Sequence, residues 1–114
     1  MKSKLLIILL FIFPLSAYAG STVKLTITQT KANGAAWDAF SGKPDPYIKI
    51  DGTSYRGSKC QDAFTCKFSI DETILEPITV EVWDADVSED DSAGSTFCVP
   101  QQACSTGLAD IIIY

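Results

Sequence analysis

The sequence predicts an all-β fold, either a sandwich or a barrel built from short strands. Apolar and polar residues alternate with a two-residue period in several segments, and no window shows the 3.6-residue period of an amphipathic helix. Turn-forming residues separate the alternating segments about every eight to twelve positions, as in all-β domains. We therefore expect strands joined by tight turns along most of the chain.

Each predicted strand gathers its apolar side chains on one face. In the first, Val23, Leu25 and Ile27 alternate with polar neighbours, which is typical of a half-buried strand. Asp51-Gly52 is a turn signal that predicts a hairpin between the second and third strands. The predicted strands cover residues 23–28, 47–50, 53–59, 66–70, 78–84, 96–99 and 111–114.

Residues 1–19 have the composition of a secretory signal peptide. Lys2 and Lys4 precede an apolar run over residues 5–15, and Ala17-Tyr18-Ala19 matches a small-x-small cleavage site. The run is shorter than the roughly 20 residues that a membrane-spanning helix needs, although an uncleaved N-terminal anchor is the alternative. We therefore expect a secreted or periplasmic protein with a single domain over residues 20–114.

Four cysteines predict disulfides in such an exported domain. A domain of this size buries too little apolar surface to be very stable, and export provides an oxidising compartment. Of the three pairings that four cysteines allow, the two local ones, Cys60 with Cys66 and Cys98 with Cys104, fit a bridged hairpin and a bridged loop best. The alternative is a metal site of four thiolates, which lacks the C-x₂-C spacing of zinc knuckles.

The charge balance argues against nucleic acid as a partner. Without Lys2 and Lys4 the chain carries fourteen acidic residues against seven basic ones, and such a surface is repelled by phosphate backbones. The absence of histidine excludes Ser-His and Cys-His nucleophile systems. Paired carboxylates leave glycoside hydrolysis as the remaining enzymatic alternative, in a domain with little room for a substrate cleft.

Acidic residues cluster after the strand of residues 78–84. Because side chains alternate along a strand, Asp84 and Asp86 continue the apolar face that carries Val82 beyond the edge of the core. Ionised carboxylates at such a position need a partner, and few lysines lie nearby in the sequence. Asp90 and Asp91 return to the same end after a short loop. A bound cation is the simplest partner for this group.

A second acidic segment completes the predicted site. The loop of residues 37–45 carries Asp38 and Asp45, the latter held between Pro44 and Pro46. If this loop reaches the same end, four or five carboxylates converge, and oxygen ligands in that number suit Ca²⁺ better than Mg²⁺ or transition metals. The alternative is an ordinary solvated acidic face.

Two motifs in this order resemble the C2 domain, a calcium-dependent membrane-binding module. They are "PDPYIKI" at residues 44–50 and "ITVEVWDADVSEDDSAG" at residues 78–94, and the similarity runs from Val23 to Gly94. The resemblance implies an antiparallel Greek-key β-sandwich of about seven to eight strands. It also implies calcium ligands at Asp38, Asp45, Asp84, Asp86 and Asp91, with Asp90 as the neighbour that can replace Asp91, and backbone-carbonyl ligands at Trp37 and Ala85.

The resemblance further implies calcium-dependent binding to a phospholipid membrane surface. Phe40 is the candidate for insertion into the bilayer, whereas Trp37 is expected to pack beneath its loop. A second lipid site would use Lys49, Arg56, Lys59 and Lys67, although we favour ordinary solvent-facing roles for them. The alternative function is a secreted protein- or glycan-binding or structural module in which calcium only stiffens the loops. In both cases we expect a non-enzymatic monomer.

Overall fold

The computed structural model describes residues 20–38, 42–57, 60–87 and 89–114, and within these ranges the chain is all-β. The signal-peptide prediction for residues 1–19 lies outside them. The described strands are β1 (Ser21–Ile27), β2 (Pro46–Ile50), β3 (Thr53–Tyr55), β4 (Thr65–Ile70), β5 (Ile78–Asp84), β6 (Asp91–Cys98), β7 (Cys104–Ser105) and β8 (Ala109–Ile113).

The strands form two four-stranded antiparallel sheets. The first sheet has the order β4-β1-β8-β7 and the second the order β3-β2-β5-β6. Their inner faces share one hydrophobic core, to which β1 contributes Val23, Leu25 and Ile27 and β5 contributes Val80 and Val82. The predicted sandwich architecture is therefore confirmed, while the Greek-key connection and the C2 resemblance stay predictions.

Alternation located β1, β2, β4, β5 and β8 accurately but misplaced an end of the edge strands β3 and β6. The predictions for β1, β2, β4 and β5 agree with the structure to within a residue or two. The hairpin partner β3 ends at Tyr55 instead of continuing to residue 59, and β6 begins at Asp91 rather than at Thr96. The start of β6 was missed because "DSAGS" lacks alternating apolar residues. The two-residue strand β7 carries too short a pattern to be recognised.

A β-bulge decides which side chain of β6 faces the end of β5. Glu81 pairs with Ser95, but Trp83 pairs with Ser92, so β6 carries one extra residue in this interval. Beyond the bulge, Asp91 is directly opposite Asp84. Without the extra residue, Ser92 would take that position. The bulge therefore brings two carboxylates to the same face of the second sheet.

Three chain segments meet at this end of the second sheet. Pro46, the first residue of β2, pairs with Asp84, the last residue of β5, which in turn pairs with the first residue of β6. The loop before β2 and the β5–β6 loop consequently lie side by side. The sequence analysis expected the two acidic segments to converge if the loop of residues 37–45 reached this end of the sheet, and the pairing of β2 with β5 brings them together.

Both local disulfides are present. Cys60 is bonded to Cys66 and Cys98 to Cys104, with Cα–Cα distances of 5.3 and 5.4 Å. No cysteine is free, so the alternative four-thiolate metal site is wrong. Each short ring contributes about 2 kcal/mol by restricting the unfolded chain. The disulfides indicate an oxidising, extracellular environment. The described residues contain no helix long and apolar enough to cross a membrane.

We expect Gly94→Ala to destabilise the fold more than Gly34→Ala. Both glycines have positive φ, +93° and +86°, where a side chain is strained by about 1 kcal/mol. A Cβ on Gly94 would also lie 3.0 Å from the Cβ of Thr106, a residue whose hydroxyl donates to the carbonyl of Ala93 in the bulge. At Gly34 it would meet nothing within 4 Å.

Urea denaturation should show a loss of about 2–4 kcal/mol in the free energy of unfolding for Gly94→Ala, because overpacking adds to backbone strain. The matched Gly34→Ala variant should lose about 1 kcal/mol. Equal losses in the two variants would contradict a packing role for the bulge.

Candidate metal centre

Three aspartates converge where β5 ends and β6 begins. Asp84 closes β5, Asp86 lies in the β5–β6 loop, and Asp91 opens β6. One carboxylate oxygen from each lies within 4.8 Å of the other two. Asp84 is buried, Asp91 is half-buried and Asp86 is exposed, so the group runs from the core edge out to solvent. These three residues, called the carboxylate cluster below, were all predicted as metal ligands.

The carboxylate of Asp84 is buried and only partly hydrogen-bonded. Its side chain is 1% exposed, and Oδ1 accepts the backbone N–H of Asp45 at 2.8 Å. Oδ2 is also buried, and it has no hydrogen-bond partner among the described residues. Since burial of an unpaired ionised oxygen is costly, this oxygen needs either a proton or a cation.

Burial and nearby negative charges raise the pKa values of Asp84 and Asp86. Burial is the largest cause of the rise in the pKa of Asp84 to about 6, and the charges of Asp86, Asp45 and Asp91 add to it, while the Asp45 N–H opposes the rise. The pKa of Asp86 is also raised, first by burial and then by its hydrogen bond to Asp91 and the nearby charges of Asp91 and Asp38. The cluster is therefore held together against electrostatic repulsion.

The loop before β2 supports the cluster through backbone contacts of Asp45. Besides donating its N–H to Asp84, Asp45 accepts the N–H of Ala85 on its carbonyl at 3.0 Å. Its carboxylate Oδ1 accepts the N–H of Asp62 at 2.7 Å. Pro44 and Pro46 are buried on either side and fix their own φ angles. Asp45 is consequently held rigidly beside the end of β5.

Asp38 and Asp45 lie next to the carboxylate cluster but outside its group of three. Together they line a cavity of about 420 Å³ whose wall also includes Ala85 and Arg56. The charge of Asp38 contributes to the raised pKa of Asp86, so the segment before β2 acts electrostatically on the β5–β6 loop. Their assignment as calcium ligands stays a prediction.

Asp90 braces the β5–β6 loop. Its Oδ2 accepts the hydroxyl of Tyr47 at 2.5 Å, and its Oδ1 accepts the N–H of Asp86 at 3.0 Å. These two hydrogen bonds, the Tyr47 bond first, lower the pKa of Asp90. Burial and the Asp90 contact raise the pKa of Tyr47. Because both oxygens of Asp90 are engaged and Asp90 is not one of the three converging carboxylates, the geometry favours Asp91 over Asp90 as a ligand.

Sequence reasoning did not identify the role of Tyr47, although the residue stands in the quoted "PDPYIKI" motif. Its ring is covered by the guanidinium of Arg56, whose Cζ lies 3.9 Å from the ring centroid. The neighbouring Lys49 ammonium lies 5.1 Å from the ring centroid of Trp83. Lys67 belongs to β4 in the other sheet, and Lys59 lies outside the described residues. Lys49 on β2 and Lys67 on β4 therefore lie on different sheets.

Trp37 packs beneath its loop as predicted. Its side chain is 2% exposed, and the indole N–H donates to the carbonyl of Thr28 at 2.8 Å. The carbonyl-ligand assignments of Trp37 and Ala85 stay predictions. Phe40, the predicted membrane contact, lies outside the described residues. The β5–β6 loop, in contrast, presents Val87 fully exposed beside the cluster, a position that the sequence analysis did not select because the side chain is small.

A lysine that is distant in sequence reaches the cluster. The ammonium of Lys31 lies 2.7 Å from Oδ2 of Asp91, and both side chains are about one-third exposed. This hydrogen bond is the main cause of the raised pKa of Lys31, and the charges of Asp86 and Asp84 add to it. Lys31 was not predicted because it is distant in sequence from Asp91, and nothing in the sequence indicates that the segment between β1 and β2 reaches the start of β6.

We expect Asp84→Asn to stabilise the metal-free protein at pH 7. The folded-state pKa of about 6 lies above the ordinary value of 3.8, so the folded state binds this proton more tightly than the unfolded state. That stabilisation is complete below about pH 4 and is lost as the pH rises through 6. At pH 7 the ionised carboxylate costs up to about 3 kcal/mol, while an asparagine oxygen can still accept the Asp45 N–H.

Urea denaturation in chelator should therefore show a higher midpoint for Asp84→Asn at pH 7 and a much smaller difference near pH 4. Asp110→Asn, on an exposed position of β8, removes the same charge away from the site and serves as the control. An equal gain for Asp84→Asn at both pH values would contradict the assignment of this penalty to Asp84.

No protein-family model, curated protein or solved structure matches this chain. The site is therefore interpreted from its own residues and geometry.

Proposed function

We propose that this domain is a secreted, non-enzymatic module that binds Ca²⁺ through the carboxylate cluster and, when loaded, binds phospholipid membrane surfaces. The observation that carries the proposal is the buried Oδ2 of Asp84, which lacks a hydrogen-bond partner in the described structure and belongs to a group of three carboxylates. A cation between them would remove both the repulsion and the desolvation penalty.

The chemistry of the ligands favours calcium. The chain contains no histidine, and its cysteines are bonded to each other, so nitrogen and sulfur ligands for transition metals are lacking. Carboxylates on a strand end and in adjoining loops suit the six to eight oxygen ligands and flexible geometry of Ca²⁺. In the proposal Asp38, Asp45 and the carbonyls of Trp37 and Ala85 complete the coordination, as the C2 resemblance implies.

The membrane part of the proposal rests on the C2 resemblance and on one exposed side chain. A bound dication would change the end of the second sheet from anionic to locally cationic and allow it to bridge to lipid phosphates. Val87 follows Asp86 directly and is fully exposed, so it would lie against the bilayer when the ion contacts the headgroups. Phe40, in the loop of residues 37–45, remains the second predicted membrane contact.

Calcium should raise the thermal stability of the wild-type protein. An extracellular site of this kind typically has a Kd of about 10⁻⁴ to 10⁻³ M, and calcium at ten times Kd adds about 1.4 kcal/mol to the free energy of unfolding. Thermal-shift titration measures this increase. Asp86→Asn removes an exposed cluster carboxylate with little risk to folding and should abolish most of it, whereas Asp110→Asn should leave it unchanged. If calcium does not change the thermal stability of the wild-type protein, the proposed site is wrong.

Calcium should also drive the protein onto anionic membranes. In sedimentation with vesicles of phosphatidylserine and phosphatidylcholine, wild type should pellet in calcium and stay in solution with chelator. Val87→Ser should weaken this binding about three- to tenfold, because a partly inserted apolar side chain is lost. Leu75→Ser removes an exposed apolar side chain at the opposite end of the second sheet and should have no effect.

Absence of calcium-dependent pelleting would favour the alternative function, a protein-binding module with calcium-stiffened loops. One observation supports this alternative. Leu75 and Phe97 are exposed and line a recess of about 570 Å³, with Glu72 and Glu76 also in its wall. An apolar surface with acidic neighbours at the end remote from the cluster suits a basic protein segment.

A further inference from the structure

We propose that Lys31 is a built-in counter-cation that a metal ion must displace from Asp91, so that this lysine weakens the site's affinity for calcium. The inference rests on the proposed calcium site and deepens it by naming the residue that controls occupancy. It is carried by the 2.7 Å contact between the ammonium and Oδ2 of Asp91 and by the position of that carboxylate within the cluster.

The backbone around Lys31 is held in a defined turn. Thr30 and Ala36 form an isolated β-bridge, and between them the N–H of Lys31 donates to the carbonyl of Ala35 at 2.8 Å. The N–H of Gly34 donates to the carbonyl of Lys31 at 2.9 Å, and Oδ1 of Asn33 accepts the N–H of Ala35 at 2.9 Å. The turn fixes the backbone of Lys31, from which the side chain extends to Asp91. The fold therefore positions the ammonium beside this carboxylate.

The ammonium and a calcium ion would use the same carboxylate. Calcium requires oxygen at about 2.3 to 2.6 Å, and the charges of Asp84, Asp86 and Asp91, which would attract the metal, all act favourably on the ammonium too. Two cations on one half-buried carboxylate repel each other at short range. Lys31 has a long flexible stem, and it can withdraw towards solvent while its turn remains in place.

Lys31 also reduces the repulsion among the cluster carboxylates when no metal is bound. The carboxylate of Asp91 hydrogen-bonds both to Asp86 and to Lys31, so the lysine neutralises the outer part of the cluster. The buried Oδ2 of Asp84 still lacks a hydrogen-bond partner in the part of the chain that the structure describes. The lysine therefore compensates the cluster incompletely and leaves a reason for a divalent ion to bind.

Calcium titration by calorimetry on the full mature domain tests the proposal with three variants. Lys31→Met keeps the length of the side chain but removes its charge, and its calcium Kd should fall about fivefold, the upper range for a partly exposed ion pair. Lys31→Arg keeps a cation that can hydrogen-bond Asp91 and should bind calcium with near wild-type affinity. Lys24→Met, on an exposed position of β1, makes the same change in net charge and should also bind like wild type.

The calcium dependence of the stability difference provides a second readout that a merely structural lysine would not change. In chelator, Lys31→Met should unfold at a lower temperature than wild type, because the cluster loses its counter-ion. In saturating calcium this difference should shrink or reverse, because the metal replaces the ammonium. A structural role would produce the same loss of stability in both conditions.

The outcomes separate the inference from the proposed function. If wild type and Lys31→Met bind calcium with equal affinity, or if the variant binds more weakly, the inference is wrong while the calcium site stands. If neither protein binds calcium, the proposed function fails and the inference fails with it. Tighter binding by Lys31→Met, with unchanged binding by Lys24→Met, supports displacement of the ammonium.

Discussion

The buried carboxylate of Asp84 is the constraint on which the rest of this end of the molecule depends. It continues the inward alternation of β5 one step past Val82, so the strand itself carries an acidic group to the edge of the core. Burial favours the protonated form, and two further carboxylates nearby increase that preference. Only a proton or a cation satisfies such a group, and above its pKa of about 6 the carboxyl loses the proton.

The surrounding structure positions further carboxylates around this one instead of neutralising it fully. The bulge in β6 turns Asp91 towards Asp84, and the Tyr47–Asp90 hydrogen bond holds the loop that carries Asp86. Asp45 supplies only a backbone N–H, to Oδ1 of Asp84, and the Asp45 side chain lines the adjoining cavity. Three separate segments thus together preorganise one anionic site.

This arrangement sets the stability of the fold against the proposed function. Repulsion within the cluster opposes folding, whereas the shared core of the two sheets and the two disulfides favour it. Each fully buried aliphatic side chain contributes about 1.5–3 kcal/mol, so the core can tolerate one unfavourable carboxylate group. If the proposed calcium site is correct, the domain is most stable where the ion is abundant, as calcium is outside cells.

The sequence by itself determined the all-β class, most of the strands, the local disulfide pairing and the identity of the three cluster aspartates. These features depend on two-residue alternation and short spacings, which are local properties of the chain. Only the tertiary structure decided that Asp91 rather than Ser92 faces Asp84, that Asp90 serves as a brace, and that Lys31 reaches Asp91. Those outcomes depend on a bulge and on contacts between distant segments, and neither leaves a periodic signal in the sequence.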